Sequence, residues 1–240
     1  MYLYRVMDRV DKILSNLGYC SRIQAEDFLH SHLVTFNNVR IKYGSQKADP
    51  HFLLIDGQKT DHPDGLFIIM NKPAGYVCSH DPSEGKLVYD LLPEQWMKRN
   101  PVPSSIGRLD KDTTGVLLIT DNTALNHQLS SPKRKIDKVY EVTVDKELTE
   151  KLKELFSSGK LCLPGDQKPC LPADLQIKDQ FNATVTIHEG RYHQIKRMFS
   201  VCGYKVTSLH RSRFGIYILN NLKEGEYVTL PFPCQNSSIA

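Results

Sequence analysis

The chain has 240 residues, 40% hydrophobic and 24% charged, a composition suited to a soluble globular protein with room for two or three small domains. Its net charge of +4 is too small to argue for a polyanionic partner by itself. No apolar run reaches membrane-spanning length, and the first dozen residues carry too many charges for a secretory signal. Six scattered cysteines offer neither a CxxC pair nor zinc-ligand spacing, so reduced thiols and a cytoplasmic location are expected.

Residues 8–58 are predicted to form a compact module. Val10, Ile13, Leu14 and Leu17 recur at helical spacing, and Gly18 ends that helix. Ser21 caps a second helix, with Arg22 near its start and Ala25, Phe28 and Leu29 on its buried side. Val34 to Ile41 reads as a hairpin turning at Asn37-Asn38, and Phe52 to Ile55 as a further strand. A polar, exposed stretch from Asp56 to Gly65 follows, with residues 59–65 as the linker.

The second domain, 66–235, opens on the apolar strand Leu66 to Met70. Asn71-Lys72-Pro73 closes that strand, and Gly75 relieves backbone crowding. Val116 to Thr120 is a strand, Thr123 to Leu129 a short helix and Tyr140 to Val144 an alternating strand. Lys146 to Phe156 is amphipathic, with Leu148, Leu152, Leu155 and Phe156 as its stripe. The proline-containing loop Leu161 to Pro172 brings Cys162 and Cys170 within reach of each other. Ala183 to Ile187, Tyr204 to Leu209 and Tyr227 to Leu230 are strands, and Tyr192 to Cys202 a helix. Helices do not alternate regularly with strands, so an α+β fold with a mixed or antiparallel sheet and packed helices is expected.

The charge is better read by its distribution. From Thr186 to Arg213 there are six Lys/Arg against one acid, and from Pro132 to Lys138 four against one. Such clustering focuses a field that a mean value hides.

Within Ser104 to Asn122, Arg108 precedes Asp110 by two residues, and a Thr-Thr-Gly turn leads into an apolar strand. In an extended segment positions 108 and 110 face the same way. Thr113 and Thr114 can bond back to the loop and fix it. Alone, the arrangement reads as an Asx turn joining two strands, with Arg108 in a structural ion pair.

The segment Glu189 to Phe199 changes the balance. On a helix from Tyr192, the residues Tyr192, Ile195, Phe199 and Cys202 make an inward stripe, while His193, Lys196, Arg197 and Ser200 lie opposite. That face suits phosphate contacts, or one of its cations meets Asp110 and keeps it a carboxylate. The plainer reading is a wet basic face, and His193 alone is a poor candidate acid or base. Tyr140 follows the basic run Lys133 to Lys138; its ring either stacks on a base or is an ordinary core aromatic.

Taken together, these segments resemble the RsuA-like family of ribosomal RNA pseudouridine synthases. The resemblance spans nearly the whole chain and rests on Asn71-Lys72-Pro73-Ala74-Gly75-Tyr76-Val77, Gly107-Arg108-Leu109-Asp110 with Thr113-Thr114-Gly115, Lys138-Val139-Tyr140, and Glu189 to Met198. It is greatest to members acting on one uridine of small-subunit (16S) ribosomal RNA. By this resemblance Asp110 is the catalytic aspartate, Tyr140 stacks on the target base, Lys196 pairs with the aspartate and Ile195 packs near the pocket. Arg108 orders the loop or holds phosphate, and Arg191, Arg197, His193, Lys138 and Arg22 join it in binding substrate.

The family detaches uracil from ribose, rotates it and rejoins it through C5, with no cofactor or metal. The aspartate either attacks the sugar carbon or takes a sugar proton. Residues 8–58 resemble an alpha-L RNA-binding domain, although His32 stands near a usual glycine and Asn37-Asn38 replaces Asn-Gly. The catalytic domain is expected as two subdomains flanking a basic cleft. Ribosomal RNA, free or in an assembling small subunit, is the implied partner of a monomer that does not engage membranes. Two rivals remain: a ribosome-assembly or RNA-binding protein without catalysis, and a metal-dependent nuclease or phosphatase using Asp110, Asp112 and Asp121.

Overall fold

The computed structural model describes residues 7–233. Cys234, the last two residues of the 66–235 domain and most of the extension at Tyr2 to Met7 lie outside them.

The chain forms two compact units that do not follow the sequence linearly. The first runs to Leu66 and takes in Tyr89–Ser104 and Thr120–Thr123; the second holds Phe67–Val88, Ser105–Ile119 and the described residues from Ala124 on.

In the first unit, the helices Val10–Asn16 and Ala25–Ser31 pack Val10, Ile13, Leu14, Leu17 and Leu29 against Val34, Ile41 and Leu53. The Ser21 hydroxyl bonds the Gln24 side chain just before the second helix begins at Ala25. The hairpin Val34–Phe36 to Val39–Arg40 turns through Asn37 and Asn38, both at positive φ (51° and 63°). Asparagine reaches that region more readily than most residues. The strand Leu53–Ile55 pairs antiparallel with Val34–Phe36.

The predicted linker is tied down, contrary to its polar composition. Thr60 is buried, Trp96 Nε1 donates to Asp61, and Arg99 donates to the carbonyls of Asp61 and His62. Arg99 is itself buried and pairs with Asp121 at 2.8 Å.

The second unit is built on a mixed sheet. Its strands run in the order Asp174–Ile177, Asn182–Ile187, Lys138–Val144, Val206–Phe214, Thr114–Thr120, Phe67–Lys72, Tyr227–Thr229. The first three pairings are antiparallel, whereas Val206–Phe214 meets Thr114–Thr120 in parallel. Phe67, Ile69, Ile106, Val116, Leu118, Leu125, Leu129, Ile136 and Phe214 form one apolar core. The helix Thr123–Ser130 contributes Leu125 and Leu129 to it.

Several elements differ from the sequence reading. Asn71 and Lys72 do not close the first strand of this unit but extend it, both buried. Gly75 has open space around it; its φ of +87° is what a side chain would resist. The amphipathic helix starts only at Lys151, so Leu152 and Phe156 are its buried positions and Leu155 is exposed. Asp174–Ile177 is an unforeseen edge strand, and Val206–Phe214 runs five residues beyond Leu209. Cys162 and Cys170 are free thiols.

The helix predicted from Tyr192 spans Gln194–Val201. His193 takes a left-handed φ of 47°, which stops the helix from running back. Tyr192 is therefore outside it, 77% exposed, with its ring stacked on His193 at 3.8 Å. The buried positions are Gln194, Ile195, Met198 and Phe199.

Candidate active site

Asp110 sits on a loop fixed at both ends. Ile106 and Leu109 are buried anchors, and Ile106 N–H donates to the Leu118 carbonyl. A turn follows in which Thr113 N–H donates to the Asp110 carbonyl at 3.1 Å. Below it lies Lys72, fully buried, whose ammonium donates to the carbonyls of Pro73, Lys111 and Thr113 at 3.0, 3.3 and 2.8 Å. Burial pushes the Lys72 pKa down. Gly75 N–H adds a bond to the Lys111 carbonyl. The loop is thus held through its backbone, leaving the Asp110 carboxylate only partly buried.

Two cationic or titratable groups from the basic segment meet that carboxylate. Lys196 Nζ lies 3.0 Å from one oxygen and His193 Nε2 3.4 Å from the other. Lys196 also reaches Asp112. Burial works to lower the Lys196 pKa, but the hydrogen bonds it donates to Asp112 and Asp110 outweigh that and hold it above its usual value. For Asp112 burial acts upward, yet Lys196 keeps its pKa below the ordinary range. The left-handed turn at His193 is what aims both side chains, because Arg197 N–H then takes the His193 carbonyl and Gln194 N–H that of Arg191.

Asp110 lines a cavity of about 510 Å³ together with Arg108, Lys138, Tyr140, Ile195 and Arg211. This volume is in the range of small-ligand sites. Tyr140 is mostly buried, on the strand beside the basic loop. Arg108 is exposed and makes no hydrogen bond or ion pair among the described residues.

The remaining expected residues are engaged in other contacts. Arg191 lines the cavity but its guanidinium donates to Glu189, Asp166 and the carbonyls of Lys168 and Pro169. Arg197 donates to Asp166 and the carbonyls of Pro164 and Tyr192. Both therefore clamp the proline loop. Arg22 belongs to the first unit, 3.6 Å from Asp11. The Thr114 hydroxyl pairs with His210, whereas the buried Thr113 hydroxyl has no partner among the described residues. Asp121, the third carboxylate of the metal reading, has both oxygens engaged by Leu66 N–H and Arg99 Nε.

Sequence reasoning missed Lys72, Arg211, and the clasp made by Glu189 and Gln194. Gln194 is buried; its amide donates to Glu189 and its oxygen accepts from Arg191 N–H. A polar side chain on the buried side of the helix was the available signal. Arg211 had none beyond its place in the basic run, since the strand that buries it was expected to end at Leu209.

The family model for RNA pseudouridylate synthase matches residues 66–201. The chain is 37% identical over 225 residues to the ribosomal small subunit pseudouridine synthase A of Pasteurella multocida, covering 92% of this chain and 95% of that one. Its namesake from Vibrio cholerae is 37% identical over 221 residues, covering 91% and 94%. A crystal structure of a pseudouridylate synthase superposes with a TM-score of 0.65 at 34% identity, over 93% of this chain and 96% of the other. With these similarities along most of its length, the chain belongs to the RNA pseudouridylate synthase family.

Proposed function

We propose that this enzyme isomerises one uridine of small-subunit ribosomal RNA to pseudouridine, with Asp110 as the carboxylate that acts at the sugar. One observation carries the reading: the Asp110 carboxylate, between Lys196 and His193, opens on the same cavity as the Tyr140 ring. The names of the two relatives supply the substrate class.

In this reading a uridine leaves its stack and enters the cavity, at a cost of a few kcal/mol offset by stacking on Tyr140. The C1′–N1 bond breaks, the ring turns, and C5 bonds to C1′. The C5 proton is lost and N1 gains one, so the reaction balances without an added reactant. Whether Asp110 attacks C1′ or removes a sugar proton, its oxygen must be charged and unshielded on the cavity side. Lys196 serves this by pairing with it, Ile195 by packing under the pocket, and Arg108 by meeting phosphate. Residues 8–58 act as the RNA-holding module, with Arg22 on it, and the protein works as a monomer in the cytoplasm.

Asp110→Asn tests the assignment. The variant should bind ribosomal RNA within about twofold of the native enzyme yet form no pseudouridine. Native-like turnover would overturn it. Mapping pseudouridines across ribosomal RNA with and without the active gene should reveal one missing site in the small subunit; loss elsewhere would reject the substrate.

A further inference from the structure

We propose that Lys138 and Arg211 form a two-cation site in the cavity wall that holds the detached uracil ring while it carries the negative charge left by glycosidic cleavage. The proposal rests on the reading that Asp110 releases uracil from uridine in this cavity.

The site follows from strand register. Lys138 and Tyr140 are two residues apart on one strand, and their neighbours across the antiparallel pairing are Phe214 and Arg211. All four line the cavity. The Lys138 ammonium lies 5.4 Å from the centre of the Phe214 ring and the Arg211 guanidinium carbon 5.3 Å from it. Two cations thus gather on one aromatic ring, beside the ring on which the base is stacked.

Neither cation has a carboxylate partner among the described residues. Lys138 donates to the Ile136 carbonyl at 3.3 Å, and Arg211 donates through Nε to the Val116 carbonyl at 2.8 Å. Arg211 is 1% exposed, and its Nη2 is buried with no hydrogen-bond partner among the described residues. The nearby acids are engaged elsewhere. Asp137 pairs with His188 and Arg213; Glu189 takes bonds from Leu171 N–H, Arg191 and Gln194. Holding a half-buried ammonium beside a fully buried guanidinium without a counter-ion is costly, and a fold that keeps them has use for a negative charge at that place. Burial first and Arg211 second push the Lys138 pKa down to about 8.

The reaction supplies the missing charge. When the C1′–N1 bond breaks heterolytically, its electron pair stays on uracil, and the anion spreads over N1, O2 and O4. The charge persists until C5 bonds to C1′. Fixed donors aimed at charge that exists only after cleavage lower the barrier without tightening substrate binding.

The test compares single-turnover rates on RNA carrying uridine or 5-fluorouridine at the target position. Fluorine lowers the proton affinity of the detached ring, so its anion needs less stabilisation. Lys138→Met should slow loss of uridine by about 100-fold but loss of 5-fluorouridine by about 10-fold or less, with RNA affinity nearly unchanged. Lys138→Arg should restore most of the rate on uridine. Equal slowing of both substrates, unchanged rates, or a loss explained by weaker RNA binding would each overturn the proposal. Asp110→Asn run alongside separates the two readings: if it is inactive on both nucleosides while Lys138→Met treats them alike, only the anion site fails. Native turnover in Asp110→Asn would remove the parent reading itself.

Discussion

Gly115 faces Arg211 across the parallel pairing of two strands, so closely that a Cβ at Gly115 would lie 2.3 Å from the Arg211 carbonyl oxygen. Its φ of +107° excludes an ordinary side chain independently. The glycine of the Thr-Thr-Gly turn is therefore what lets the Arg211 strand approach the Asp110 loop. Gly115→Ala combines backbone strain with overpacking and should cost about 2–4 kcal/mol. A urea midpoint series checks this; a loss below about 0.5 kcal/mol would show that the pairing is not this tight.

Lys72→Met removes a buried cation that three carbonyls accept from. The apolar replacement leaves those carbonyls unpaired, and the expected destabilisation is about 2–5 kcal/mol. Because two of the three belong to the loop after Asp110, hydrogen exchange there should rise and turnover should fall more than RNA affinity. Unchanged exchange at Lys111 and Thr113 would refute the role.

Arg108 and Arg197 should separate in a salt titration. Arg108 is exposed and unpaired among the described residues, while Arg197 is bonded to Asp166 and two carbonyls. Arg108→Ala should lower the slope of log affinity against log salt by about 1, and Arg197→Ala should leave it nearly unchanged while loosening the proline loop. The opposite pattern would place the phosphate contact on Arg197.

Lys138 makes a prediction about stability as well as rate. Its folded pKa of about 8 lies below the ordinary 10.5, so the unfolded chain binds more protons between those values. Stability of the native protein from this group should thus rise as pH climbs through that window. The charged groups acting on Lys138 are Arg211, which favours the neutral form, and Asp137 and Glu189, which oppose it. Lys138→Met should have the higher urea midpoint at pH 7, with the gap narrowing towards pH 10. A gap independent of pH would mean that packing, not charge, sets the difference.

Local patterns were legible in the sequence wherever one residue's chemistry decides the outcome. Helical spacing gave the Val10–Asn16 core, and the Asn37-Asn38 turn survived because asparagine accepts positive φ. The Asp110 turn and the Tyr140 strand were likewise readable. The errors share one cause. Tyr192 looked helical by periodicity, but the left-handed turn at His193 is a backbone state that periodicity does not report. Arg191 and Arg197 looked like phosphate ligands because, beside the nearby Glu189 and Tyr192 carbonyl, they are taken by Asp166 and by carbonyls some 22–33 residues away in the chain.

By itself the sequence determined the α+β class, the family resemblance and the turn that carries Asp110, all of which depend on near neighbours or on motifs in fixed order. The tertiary structure alone decided that His193 joins Lys196 at Asp110, which cations are locked into loop clamps, and which stand unpaired. Charge pairing depends on distance in space, and the partners of Lys72, Lys196 and Arg211 are brought close only when the sheet aligns strands far apart in the chain.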